Sequence, residues 1–137
     1  MSLKKHILVA DDKEPIRTTL QDMLMHIGYD TSIASGIDEA EFIINNTIID
    51  LAFIDICFSN DHYDGFDIVS LLQKAQPHCN IVMLTANPCK STAVRALRCK
   101  LFDYIEKPVS LAELTSITHA AFKESPSQQH YPPLKLD

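Results

Sequence analysis

The sequence predicts an α/β protein built on a doubly wound, five-stranded parallel sheet with helices on both faces. Three observations carry that expectation. Short apolar runs alternate five times with segments of helical periodicity. Most of the runs are apolar along their whole length, as strands covered on both faces must be. Polar, chemically capable residues end or follow four of the five runs, always at the C-terminal end. Right-handed crossovers between parallel strands would place the helices on the two faces of the sheet.

Each element has its own local signal. "HILVA" (His6–Ala10) is a short run rich in branched residues and reads as the first strand. From Glu14 to Ile27, apolar residues at Ile16, Leu20, Met23, Leu24 and Ile27 fall at helical spacing; Pro15 suits a first turn and Gly28 a stop. Met23 and Met25 read as core and helix packing. "YDTSIA" (Tyr29–Ala34) is a second, weaker strand. Ser35-Gly36 lead into a helix with Ala40, Phe42, Ile43 and Ile44 among its apolar residues. "IIDLAFID" (Ile48–Asp55) is the third strand, and Gly65–Lys74 repeats the helical period until Pro77 breaks it. "NIVMLTA" (Asn80–Ala86) is the fourth strand, and Lys90–Arg98 a short helix. "LFDYIE" (Leu101–Glu106) is the fifth strand, ending at Lys107-Pro108. Ser110–Lys123 is a last amphipathic helix, with Ser110 as N-cap and Glu113 completing a capping box. The tail after Glu124, "SPSQQHYPPLKLD", has no period and reads as a flexible end or linker.

The totals narrow the class. A chain of 137 residues with 46% hydrophobic and 22% charged residues fits one domain with a sufficient core. A net charge of -6 argues against direct nucleic-acid binding, which needs clustered Lys and Arg, and suits a hard cation. Cys57, Cys79, Cys89 and Cys99 form no CxxC pair and have no histidines at zinc-ligand spacing, so reduced thiols in a cytoplasmic protein are expected. No stretch approaches the ~20 apolar residues of a membrane span. The N-terminus lacks the apolar core of a signal peptide.

The strand ends carry the functional signal. Asp11 and Asp12 follow the first strand, Asp55 closes the third, Thr85 comes late in the fourth, and Lys107 follows the fifth. In an open parallel sheet these ends meet at one crevice. Three carboxylates in one place repel one another, and a divalent cation resolves the conflict. Magnesium suits oxygen ligands and one or two carboxylates plus a phosphate. Lys107 could pair with a phosphate oxygen, Thr85 could donate to another, and one aspartate could act as nucleophile and become an acyl phosphate.

Five pieces, "ILVADD" (Ile7–Asp12), "LAFID" (Leu51–Asp55), "DG" (Asp64-Gly65), "VMLTA" (Val82–Ala86) and "DYIEKP" (Asp103–Pro108), occur in this order. Together they resemble the receiver domain of two-component response regulators, from about Lys4 to Lys123, giving a domain at 1–124 and a tail at 125–137. The resemblance implies a flavodoxin-like strand order 2-1-3-4-5. It implies that Asp55 is the phosphoacceptor and that Asp11, Asp12 and Asp55 hold Mg2+, with the backbone carbonyl of Cys57 adding a ligand. Thr85 and Lys107 would bind the phosphoryl group, Tyr104 would be the aromatic switch partner of Thr85, and Lys107-Pro108 would be cis. The implied partners are a histidine kinase or histidine phosphotransfer protein, a downstream effector, and a second copy in a phosphorylation-dependent homodimer. Such a domain catalyses its own phosphorylation and dephosphorylation and is not a turnover enzyme.

The chain departs from the family at two places. The loop "ICFSNDHY" after Asp55 is longer than usual, with Ser59 where a proline is common, so Asp61, His62 and Asp64 are candidates for the mouth of the site. Lys100-Leu101 replace a small glycine-alanine pair beside the fourth helix and fifth strand. Two other functions compete. An aspartyl phosphatase would need a second acid at position 57, which is Cys, and a cap domain for which there is no room. A module that keeps the fold without taking phosphate would bind no magnesium.

Overall fold

The computed structural model describes residues 4–123. The tail at 125–137 therefore lies outside the described residues. The elements are β1 (His6–Ala10), α1 (Glu14–Ile27), β2 (Asp30–Ala34), α2 (Ile37–Asn46), β3 (Leu51–Asp55), α3 (Gly65–Ala75), β4 (Asn80–Thr85), α4 (Lys90–Arg98), β5 (Asp103–Glu106) and α5 (Leu111–Phe122). All strand pairs are parallel, in the order β2-β1-β3-β4-β5.

Strand alternation divides the core in two. Ile7, Val9, Leu51, Phe53, Val82 and Leu84 face α1 and α5, where Leu20, Leu24, Leu114 and Ile117 meet them. Leu8, Ala10, Ala52, Ile54, Ile81 and Met83 face the other way, against Ala40 and Ile44 of α2, Phe66, Val69 and Leu72 of α3 and Ala96 of α4. Every residue of β3 is buried, so each large side chain there contributes about 1.5–3 kcal/mol of transfer free energy. That burial carries Asp55 to the rim. By contrast, Ala96 is the single buried residue of α4, which is thus the most lightly held of the helices.

Several boundaries differ from the pattern in the sequence, each for a local reason. The third strand begins at Leu51 rather than Ile48, because Gln76 diverts the preceding backbone. Its side chain accepts from the Ile49 N–H at 2.7 Å and donates to the Ile44 and Thr47 carbonyls at 2.9 and 2.7 Å. Ile48 is left 80% exposed. The fifth strand starts at Asp103, because Lys100 turns through a left-handed conformation (φ 58°) that a glycine adopts without strain. Met25 is 57% exposed, a correction to its reading as core, since it lies on the outer face of α1; Met23 does pack against the core. The capping box at α5 is present, with Glu113 N–H donating to Ser110 Oγ at 3.1 Å and Ser110 N–H donating to Glu113 Oε1 at 3.0 Å.

Candidate functional site

Strand order reverses between β1 and β3, and the crevice opens there, outside the carboxyl ends of the strands. Asp11 is the first residue beyond β1 and Asp55 the last of β3, so the apolar strands deliver two carboxylates to opposite walls of one opening. Asp11 is fully buried and held at every polar atom. Its N–H donates to Ala34 O (3.1 Å), and its carbonyl accepts from Arg17 Nη1 (2.9 Å). Oδ1 accepts from the Lys13 N–H (2.9 Å) and Oδ2 from Lys107 Nζ (2.8 Å).

Lys107 reaches both walls. Its Nζ lies 2.8 Å from Asp11 Oδ2 and 3.1 Å from Asp55 Oδ1, with its side chain 11% exposed. Position comes from β5, since the Lys107 N–H donates to Thr85 O at 2.8 Å, and the following peptide, Lys107-Pro108, is cis. Burial alone would push the ammonium down, but the bonds and charges of Asp11 and Asp55 hold it above the ordinary lysine value. Asp55 is raised above the ordinary carboxylate value, first by burial and then by the charge of Asp11, with Lys107 only partly opposing. One buried ammonium thus serves more than one acid.

Asp12 completes the set. One carboxylate oxygen each from Asp11, Asp12 and Asp55 lies within 4.8 Å of the others. Burial pushes the Asp12 carboxyl up, but hydrogen bonds from Ser59 and the charge of Lys13 outweigh it and hold the group below its usual value. The Ser59 N–H donates to Asp12 Oδ2 at 2.7 Å. Asp12 Oδ1 is buried without a hydrogen-bond donor, its nearest ion-pair partner being Lys13 Nζ at 3.6 Å. A buried oxygen without a donor, beside two more carboxylates, is what an all-oxygen site for a hard divalent ion requires.

Thr85 follows Leu84, which pairs with Asp55, and is 4% exposed. Its Oγ1 accepts from the Asn87 N–H at 3.1 Å. Alternation puts Thr85 on the face of Met83 and Tyr104, which are register partners. The Tyr104 hydroxyl is 2.7 Å from Thr92 Oγ1, a bond between β5 and α4. Cys57 is an exposed residue between buried Ile56 and Phe58, at the start of the loop beside the acids.

Asp61 and His62 are exposed in that loop. Asp64 caps α3, accepting from Phe66 N–H (2.9 Å) while its own N–H donates to Asp67 Oδ2 (2.9 Å). It also pairs with Arg95 of α4 at 3.3 Å, and the Arg95 guanidinium lies over the Phe66 ring at 4.0 Å. The spacing of Asp64 and Asp67 just before an apolar run was a readable capping signal. Sequence reading missed Ser59 as a donor to Asp12, and it missed Tyr63, Thr92 and Arg95. No residue-type signal marks a backbone donor or a loop tyrosine's partner.

Cys89 lies in the loop between β4 and α4. The nearby hydroxyls of Ser91 and Thr92 pull its thiol down to about 7, while burial and then the charge of Asp50 push Cys79 up to about 12. That lowering favours the thiolate, the nucleophilic form, at Cys89 over Cys79. Iodoacetamide should label Cys89 well before Cys79, as read by peptide mapping over time. Equal labelling rates would contradict these environments.

The family profile described as "Response regulator receiver domain" matches residues 7–119. This chain belongs to the response regulator receiver family. The receiver is 32% identical over 108 residues to the alginate biosynthesis transcriptional regulatory protein AlgB of Pseudomonas aeruginosa, covering 79% of this chain and 24% of that protein. It therefore spans about a quarter of the length of such curated relatives. The receiver domain of NtrX from Brucella abortus is 32% identical with a TM-score of 0.79, over 87% of this chain and 99% of that one. A response regulator from Burkholderia pseudomallei, solved with a phosphorylated aspartic acid, calcium ion and citrate, is 27% identical with a TM-score of 0.77, over 93% of this chain and 75% of that one. Receiver domains are phosphoacceptor switches of two-component signalling, and this chain is a receiver domain. Among the described residues no helix is long and apolar enough to cross a membrane.

Proposed function

We propose that Asp55 is the phosphoacceptor of this receiver and that Asp11, Asp12, Asp55 and the Cys57 carbonyl hold Mg2+. The observation that carries the reading is Lys107 Nζ bridging Asp11 and Asp55 at 2.8 and 3.1 Å beside an acid pair with an orphaned oxygen. When bound, the cation neutralises the acids and polarises the phosphoryl oxygens. An Asp55 carboxylate oxygen attacks phosphorus, the bond from phosphorus to the donor's leaving atom breaks, and that atom departs with the electron pair. Lys107 exchanges its bond to Asp55 for one to a phosphoryl oxygen, which keeps its charge paired throughout.

Thr85 and Tyr104 form the switch in this reading. The Thr85 hydroxyl leaves the Asn87 N–H and donates to the new phosphoryl group, vacating space on the face it shares with Tyr104. Tyr104 then turns inward and gives up Thr92, removing one of the ties on α4, which buries only Ala96 and is otherwise held through Arg95 to α3. The donor is a histidine kinase or histidine phosphotransfer protein in the cytoplasm. The readers are a downstream effector and a second copy of the receiver in a phosphorylation-dependent dimer. Relatives several times longer than this chain support an effector role.

Acetyl phosphate with Mg2+ should add one acid-stable, base-labile phosphoryl group, seen as a mass increment on the intact protein. With EDTA the increment should vanish. Equal incorporation in EDTA would remove the cation from the reaction, and no incorporation with Mg2+ would favour a receiver fold that no longer takes phosphate.

A further inference from the structure

The loop at 56–64 is not loosely draped. Its base is closed by the Gly65 N–H donating to Ile56 O at 2.7 Å. Inside it, the Asn60 N–H donates to Phe58 O (2.7 Å) and the His62 N–H to Asn60 Oδ1 (2.7 Å), so the tip is tied to itself. Phe58, buried at 9% exposure, packs against Tyr63 with ring centroids 5.6 Å apart.

Both sides of this loop are anchored to other elements. On one side the Ser59 N–H donates to Asp12 Oδ2 at 2.7 Å, leaving Oδ1 as the oxygen without a donor. On the other, the Tyr63 hydroxyl accepts from the Ile37 N–H at 3.2 Å, at the first turn of α2. That turn needs an outside acceptor, because its N-cap residue is Gly36 and makes no side-chain cap bond. A Cβ at Gly36 would lie 2.7 Å from the Tyr63 hydroxyl oxygen, so the residue leaves just enough room for the tyrosine to dock.

We propose that Tyr63 is a positioning residue for the cation site. By fastening the loop to the start of α2, it holds the Ser59 N–H on Asp12 Oδ2 and so leaves Oδ1 without a donor, free to meet a cation. The inference rests on the reading of the acid cluster as a divalent-cation site. It adds a residue outside the cluster, acting through the loop. Partners that orient a metal ligand alter affinity when lost, by about 10–100-fold for those bonded to the ligand directly. Tyr63 acts one step further out, so a smaller effect is expected.

The test is Mg2+ titration by calorimetry on the whole chain, with thermal melts of the metal-free proteins and amide exchange at Ser59. Tyr63→Phe keeps the ring against Phe58 and removes only the hydroxyl. It should weaken Mg2+ binding by roughly three- to tenfold and speed Ser59 exchange, with little change in the metal-free melt. Gly36→Ala should do the same in the parent, because its Cβ displaces the hydroxyl. In the Tyr63→Phe background it should add nothing, since the nearest remaining atom, Cζ, would be 3.9 Å away in ordinary contact. Additive losses would overturn the proposal, as would unchanged Mg2+ affinity in Tyr63→Phe when the parent binds Mg2+. If the parent binds no Mg2+, the cation-site reading itself fails and this proposal fails with it.

Discussion

Asp55→Asn is expected to accept no phosphoryl group from acetyl phosphate and Mg2+, under conditions that load the parent chain. The amide nearly matches the carboxylate in volume, so the fully buried strand behind it is undisturbed. What disappears is the nucleophilic oxygen, and an amide does not replace it. Intact-mass spectrometry decides the matter. A phosphoryl increment on the variant equal to the parent's would take Asp55 out of its role and send attention to Asp11 or Asp12.

The same variant should be more stable than the parent when metal is chelated. Burial first, and then the Asp11 charge, hold the Asp55 carboxyl above its unfolded value despite Lys107. The folded state therefore keeps this proton to higher pH than the unfolded chain does. Between the two values the unfolded state binds fewer protons, and stability falls as pH rises. That penalty begins near the unfolded value, about pH 4, and is complete above the raised folded value. Asp12, shifted downward, contributes in the opposite sense, but it is common to both proteins and cancels in their difference. Lys107 stays paired with Asp11 in the variant. The melting difference in EDTA should thus be small below about pH 4 and grow toward neutrality. A difference independent of pH would contradict the electrostatic account.

Gly65→Ala is the second large effect. An added Cβ would overlap the Asp55 carbonyl oxygen and lie 2.9 Å from the Asp55 carbonyl carbon and from Ile56 Cα. All three are backbone atoms at the end of the central strand, so no side-chain rotation relieves the clash. Either α3 moves away from β3 or the Asp55 peptide rotates. The first opens the core around Phe66 and Ile68, both nearly fully buried, and the second misplaces the proposed nucleophile. A loss of about 2–4 kcal/mol is expected, visible as a melting midpoint lower by about 10 °C. Phosphoryl incorporation should fall even at temperatures where the variant is folded. An alanine variant with parental stability would mean that the loop base is far more pliable than its packing and its 2.7 Å Gly65–Ile56 bond imply.

Gly65 also shows where sequence reading stopped. "DG" was legible as part of a family pattern, but its physical reason, a helix start pressed against the backbone of Asp55, needed coordinates. Asp64 caps α3 through its bonds to Phe66 and Asp67, and its further pairing with Arg95 of α4 needed coordinates to be seen. Ile48 and Met25 look like core by type, yet Gln76 bonds and helix rotation leave them outside.

The arrangement of Asp11, Asp12, Asp55, Thr85 and Lys107 was decided by the sequence itself. Apolar runs of strand length in a parallel sheet all end at one rim, so a residue's place after its run determines its place in space. The anchoring of the loop at 56–64, the contact between Tyr63 and α2, the Ser59 bond to Asp12 and the tie from Tyr104 to Thr92 were decided only by the tertiary structure. Those contacts join loops and helix ends through backbone groups and single hydroxyls. Neither periodicity nor residue type encodes which partner such a group will meet.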